Sequence, residues 1–153
     1  MAEPSSVLLA VDLGSARVGV AACDAGRVLA YPVTVLPAGE DLPDRVAALV
    51  DELGAGELVV GYPLALDGTA GIAAAHVVTQ AEALAARVGV PVTLVDERMS
   101  TAEAHRKLRA AGRTAKTARR VVDAQAAVGI LESVLCALAA GRTVGQRVEA
   151  KHG

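Results

Sequence analysis

Apolar and polar positions along this chain divide it into short strand-like runs first and helical stripes later. Val7-Leu8-Leu9-Ala10-Val11 is an unbroken apolar run that ends in Asp12. A continuous apolar run of strand length predicts a strand buried on both faces. Gly14-Ser15 turn the chain, and Arg17 to Ala22 return as a second strand. Asp24-Ala25-Gly26 supply the next turn, and Arg27 to Val35 form a third strand, with Pro32 restricting it to an edge or a bulge. Three consecutive short strands imply an antiparallel meander.

Helical spacing begins at Asp41. Val46, Leu49, Val50 and Leu53 share one face, and Gly54 ends the segment. Glu57 to Gly61 form a fourth, apolar strand, which breaks into the turn-rich stretch Tyr62 to Gly71. A helix over about 72–88, a fifth strand over 90–95 and a helix from Ser100 or Thr101 to about Ala111 follow. Gly112 to Arg120 reads as a polar, basic, mobile segment, and a final helix covers about 121–140. Residues 141–153 read as a frayed tail. Three strands followed by alternating helix and strand predict an α/β fold, with a five-stranded mixed sheet flanked by helices. The whole chain, 1–153, reads as one domain.

Composition narrows the function classes. With 53% apolar residues the chain is not disordered. Tyr31 and Tyr62 are its whole aromatic content, which argues against a stacking platform for single-stranded bases. Cys23 and Cys136 sit in apolar runs and read as small buried hydrophobes, without metal-type spacing. His76 and His105 likewise lack ligand spacing and read as surface residues. No secretory leader or membrane-length run is visible, so the expected compartment is the cytoplasm and no membrane partner is expected.

Charge adds a feature that the net value of -2 conceals. Between Arg98 and Arg120 eight basic residues face one acid, Glu103, a local +7. Such clustering reads either as a solvated helix face or as a contact for a polyanion. The basic candidates for substrate contact are Arg17, Arg98, Arg106, Arg109, Arg113, Lys116, Arg119 and Arg120.

Three acids stand at the tips of core elements. Asp12 follows the first buried run; a turn aspartate is the plain alternative. Asp123 heads the stripe Ala126, Ala127, Ile130, Leu131, Val134, Leu135 and Leu138, so it occupies the apolar face of the last helix. Helix-dipole stabilisation is the alternative there. Asp96 and Glu97 follow the fifth strand and point opposite ways if the strand continues; either can be the second acid, or both can pair with Arg98. Gathered together, Asp12, Glu97 and Asp123 need a divalent cation to offset their repulsion, and hard oxygen ligands select Mg²⁺ or Mn²⁺. Two such ions about 4 Å apart support phosphodiester hydrolysis. The basic segment lies between Glu97 and Asp123 in sequence and is placed to hold a phosphate backbone.

Asp12-Leu-Gly-Ser-Ala-Arg-Val-Gly-Val-Ala21 resembles the opening motif of the YqgF family, also called RuvX, among the RuvC-like nucleases. Val59-Val-Gly-Tyr-Pro63 with Asp67-Gly-Thr-Ala-Gly71, then Asp96 to Glu103, then Val122 to Ala127, resemble its second, third and fourth motifs, in family order. The resemblance implies a ribonuclease H-like fold and metal-dependent nuclease chemistry at Asp12, Glu97 and Asp123. It implies a nucleic-acid substrate: structured RNA, by processing of the 5′ end of precursor 16S rRNA, or branched DNA, by resolution of Holliday junctions. The second role calls for a homodimer. In RuvC itself the second acid ends the fourth strand, where this chain has Gly61-Tyr62-Pro63, so the acid must come from Glu97. Tyr62 departs from the leucine common in the family. Two further readings compete: an actin-like or sugar-kinase ATPase, for which Asp12 to Ser15 suit a phosphate hairpin but one domain is missing, and a non-catalytic RNA-binding protein. Backbone amides after Gly68-Thr69-Ala70-Gly71 offer either a phosphate seat or an ordinary helix start.

Overall fold

A computed structural model of the protein describes residues 7–64, 67–97, 116–142 and 144–149; the side chains of residues 116–123 fall outside that description. The described elements run β1 (Leu8–Leu13), β2 (Arg17–Cys23), β3 (Ala30–Pro37), α1 (Leu42–Leu53), β4 (Glu57–Tyr62), α2 (Ile72–Arg87), β5 (Val92–Asp96), α3 (Lys116–Ala139) and β6 (Gln146–Val148). The helix expected between residue 100 and Ala111 lies outside the described residues.

One mixed sheet has the order β3-β2-β1-β4-β5-β6. The meander pairs are antiparallel, β1–β4 and β4–β5 are parallel, and β5–β6 is antiparallel. The most apolar runs, β1 and β4, sit in the centre, as burial of both faces requires. β3 is an edge strand whose register skips Val33, next to Pro32, opposite Val20 and Ala21.

Period-two alternation along the strands separates two cores. Leu9, Val11, Leu58, Val60, Val92 and Leu94 face α1 and α2, together with Val46, Val50, Val77 and Leu84. Leu8, Ala10, Val59 and Val95 face the other way, onto Ala126, Ala127, Ile130, Leu131, Val134 and Leu135 of α3. The apolar stripe expected in the last helix is therefore the packed one, and α3 lies across β1, β2 and β3.

The structure corrects the sequence reading in several places. The sheet has six strands rather than five, because residues 146–148 of the expected tail pair with β5. β6 is short and lacks an apolar run, so periodicity gives no sign of it; the bend into it is made by Gly145, with φ +78°, where a Cβ would collide with the Leu94 carbonyl oxygen. α3 begins at Lys116 rather than near Val121. Lys116 to Arg120 contain no glycine or proline and, Thr117 apart, are good helix formers, so the apolar helix propagates back through them. Cys136 is exposed and only Cys23 is buried, because position 136 falls off the stripe set by Leu131, Val134 and Leu135.

The β2–β3 turn carries a pH prediction. Asp24 Oδ1 accepts hydrogen bonds from the Val28 and Leu29 amides at 2.8 and 2.9 Å. These bonds hold the Asp24 carboxyl below its ordinary value, so the ordering of the turn is present at neutral pH and lost as the pH falls through that lowered value. NMR of the Val28 and Leu29 amides should show a shared titration with a midpoint below about 3.9, absent in Asp24→Asn. A midpoint at or above the ordinary value would contradict this account.

Candidate active site

The site is built at one end of the sheet. Asp12 is the fifth residue of β1; with Leu8 and Ala10 against α3, alternation places Asp12 on the α3 face. It is 4% exposed. Gly14 ends the strand with a tight turn in which its amide donates to the Arg17 carbonyl at 3.0 Å, and a Cβ at Gly14 would stand 2.5 Å from that oxygen. The chain thus turns within two residues of the acid, which fixes Asp12 on a rigid element.

Glu97 follows β5 directly and is also 4% exposed. Its side chain does not stay over its own strand. A Cβ built on Gly61 of β4 would lie 2.6 Å from Glu97 Oε1 and 3.1 Å from Glu97 Cγ. The carboxylate therefore reaches sideways across β4, on the face that Val59 and Ile130 share. Val11 pairs with Val60, so Asp12 stands one residue further along, beside Gly61. Two buried carboxylates thus share one sheet face, with Gly61 of β4 lying between their strands. Asp96, paired in register with Tyr62, alternates to the opposite face and is only half-buried. Glu97, and not Asp96, therefore lies on the face that Asp12 shares.

Arg17 opens β2 at the same end of the sheet, since Asp12 pairs with Gly19 and Leu13 with Val18. Its alternation with Ala21 and Cys23 puts it on the α3 face as well. Asp123 lies in α3 one turn before Ala126 and Ala127, which pack on the sheet; its side chain is outside the described residues, as are those of Lys116, Arg119 and Arg120. Arg98, Arg106, Arg109 and Arg113 lie outside the described residues altogether. Among the described residues no group of three His, Cys, Asp or Glu side chains is close enough to hold a metal ion. The described pair, Asp12 and Glu97, is nonetheless a fitting donor set for a hard cation: two buried carboxylates offering oxygen alone.

Sequence reasoning missed a cavity of about 630 Å³ at the same end of the sheet but on its α2 side, lined by Leu13, Ser15, Pro63, Ile72, His76 and Val77 among others. Ile72 at its rim is 92% exposed. His76 is exposed, as expected, but lines this cavity rather than open surface. An apolar residue left in water at the first position of α2 breaks that helix's own pattern, and that was the available signal. In the preceding loop, Asp67 Oδ1 accepts from the Thr69 amide at 2.9 Å and from its hydroxyl at 2.7 Å, which orders the approach to α2.

Comparison with known proteins gives the family. The family described as "RuvX: Holliday junction resolvase" matches residues 6–137. The chain belongs to the RuvX family. Its curated relatives share the name "Putative pre-16S rRNA nuclease". That of Leifsonia xyli is 44% identical over 152 residues, covering 97% of this chain and 98% of the relative. That of Kineococcus radiotolerans is 46% identical over 151 residues, covering 96% and 80%. That of Streptomyces coelicolor is 47% identical over 146 residues, covering 92% and 87%. Among solved structures, Thermus thermophilus RuvC in complex with a Holliday junction superposes with a TM-score of 0.61 at 13% identity, covering 92% of this chain and 99% of that one. That likeness gives the fold, and the ribonuclease H-like architecture expected from the motifs stands. As a RuvX-family chain the protein is a nuclease. No described helix is long and apolar enough to cross a membrane.

Proposed function

We propose that this RuvX-family nuclease hydrolyses phosphodiester bonds with a divalent cation held by Asp12, Glu97 and Asp123, and that its substrate is the 5′ end of precursor 16S rRNA. The observation that carries the reading is that Asp12 and Glu97 are both buried on the α3 face at one end of the sheet, on strands flanking β4, with Glu97 Oε1 lying over Gly61. Two carboxylates on one buried sheet face offer only oxygen, the donor type a hard divalent cation takes. The relatives' shared name supports the rRNA substrate.

A bound Mg²⁺ or Mn²⁺ would supply Lewis-acid stabilisation of the charge that builds on the reacting phosphate. The chain's own residues do the rest. Asp12 is fixed by the β1–β2 turn and Glu97 by its seat over β4, so their oxygens keep one geometry. Asp123 stands in α3 one turn before Ala126 and Ala127, which pack on the sheet. Arg17, on the same face, and the basic residues Arg98, Arg106, Arg109, Arg113, Lys116, Arg119 and Arg120 hold the polyanionic backbone.

The test compares substrates. Purified protein with Mn²⁺ should cleave precursor 16S RNA and leave a four-way DNA junction intact. Cutting of the junction alone, by a two-fold dimer, would transfer the site to recombination. Failure on both with either cation would remove the nuclease reading in favour of RNA binding.

A further inference from the structure

Gly61 has no conformational need to be glycine. The positive-φ glycines of the described chain are Gly54, Gly68, Gly141 and Gly145, and Gly61 is not among them. It lies in β4, paired in register with Val95, in ordinary extended backbone. What singles it out is space. A Cβ there would stand 2.6 Å from Glu97 Oε1 and 2.6 Å from Ile130 Cδ1, distances that real side chains do not tolerate. Glu97 and Ile130 are both buried, so neither contact is the loose end of a solvent-exposed side chain.

We propose that Gly61 is a positioning residue: its missing side chain is the slot through which Glu97 reaches across β4 to Asp12. This rests on the reading of Asp12 and Glu97 as cation ligands. The slot explains why the acid that follows β5 is a glutamate, since the carboxylate must travel from the end of β5 to a place above the neighbouring strand. It also makes the site's second carboxylate a position in space rather than a property of one strand. An aspartate oxygen lies two bonds from its own Cβ, roughly 2.4 Å. Glu97 Oε1 lies 2.6 Å from the Cβ position of residue 61. An aspartate planted on β4 can therefore place its oxygen close to where Glu97 delivers one from β5.

Two consequences separate this from a packing role. First, filling the slot displaces the carboxylate even when the fold tolerates the methyl group. Ile130→Val removes the Ile130 Cδ1 conflict, so Gly61→Ala/Ile130→Val isolates the conflict with Glu97. Second, moving the acid between strands restores the site: Gly61→Asp/Glu97→Ala carries the same number of carboxylates as the wild type.

The experiment measures Mn²⁺ affinity by isothermal titration calorimetry on the purified, folded variants, with cleavage as a second readout. Glu97→Ala is expected to bind Mn²⁺ at least about tenfold more weakly, the lower bound for disturbing even an outer partner of a metal ligand. Gly61→Ala/Ile130→Val should match that loss while melting within a few degrees of Ile130→Val alone. Gly61→Asp/Glu97→Ala, with Ile130→Val added where it improves folding, should recover most of the lost affinity. Wild-type affinity in folded Gly61→Ala/Ile130→Val would overturn the slot. So would a strand-swapped variant no better than Glu97→Ala. Unchanged affinity in Glu97→Ala itself would overturn the cation reading first, and the proposal with it, so the two failures are told apart by the single variant.

Discussion

Asp12→Asn is expected to lose cleavage by about 100-fold or more, and to lose most of the stabilisation that Mn²⁺ confers, without unfolding the protein. Disturbing an outer partner of a metal ligand costs roughly 10–100-fold in affinity or activity, and removing a ligand's charge should cost at least the upper end of that range. Asparagine keeps the shape of the side chain at a position only 4% exposed, so β1 has no packing reason to fail. Linkage makes the effect readable without a substrate. At 100 times its dissociation constant a ligand stabilises the native state by about 2.7 kcal/mol; if the constant rises 100-fold, the same concentration gives roughly 0.4 kcal/mol. For a chain of this size 1 kcal/mol moves the melting temperature by about 2–4 °C. A Mn²⁺ shift of several degrees in the wild type should shrink to one or two in Asp12→Asn. An undiminished shift, or retained cleavage, would remove Asp12 from the site.

What the sequence made legible here follows from how each signal is carried. β1, β4 and β5 were readable because burial on both faces leaves an unbroken apolar run. The α3 stripe was readable because it repeats at helical spacing over several turns, from Ala126 to Leu138. The same two patterns place Asp12 at a strand tip and Asp123 on an apolar face. β6 was not readable, because a three-residue edge strand is held by its partner's backbone and carries no pattern of its own. The start of α3 was misplaced because basic residues suit a helix as well as a loop, and nothing in Lys116 to Arg120 marks the difference.

The choice between Asp96 and Glu97 shows the limit most clearly. Spacing says only that the two point opposite ways; register against β4 says which way each points, and the empty position at Gly61 says why the longer acid is the one that arrives. A glycine inside a strand reads from sequence as a weak point in the sheet. Its meaning as a slot depends on a side chain from another strand, 36 residues further along the chain. No local pattern holds that information.

Leu58→Ala should separate fold from chemistry in the opposite sense. Leu58 is fully buried in β4, between Leu9 of β1 and Val92 of β5, on the face covered by α1 and α2. Truncating a buried leucine to alanine costs about 2–5 kcal/mol, set by how far the surroundings collapse into the cavity. Collapse is restricted here, since Leu58 sits on a central strand whose neighbours are fixed by ladders on both sides. A loss near 3 kcal/mol lowers the melting temperature by roughly 6–12 °C. Gly61 lies three residues along and on the other face, so the seat of Glu97 over it is untouched. Well below its melting point, Leu58→Ala should bind Mn²⁺ and cleave at close to the wild-type rate. Differential scanning calorimetry beside a cleavage assay at 20 °C checks both halves. A variant that kept its melting temperature would mean that the α1/α2 face is not the core it is taken to be. One that melted early and had also lost its Mn²⁺ affinity would mean that the two faces of β4 are coupled, and that the carboxylate seat depends on packing beneath the sheet as much as on the slot above it.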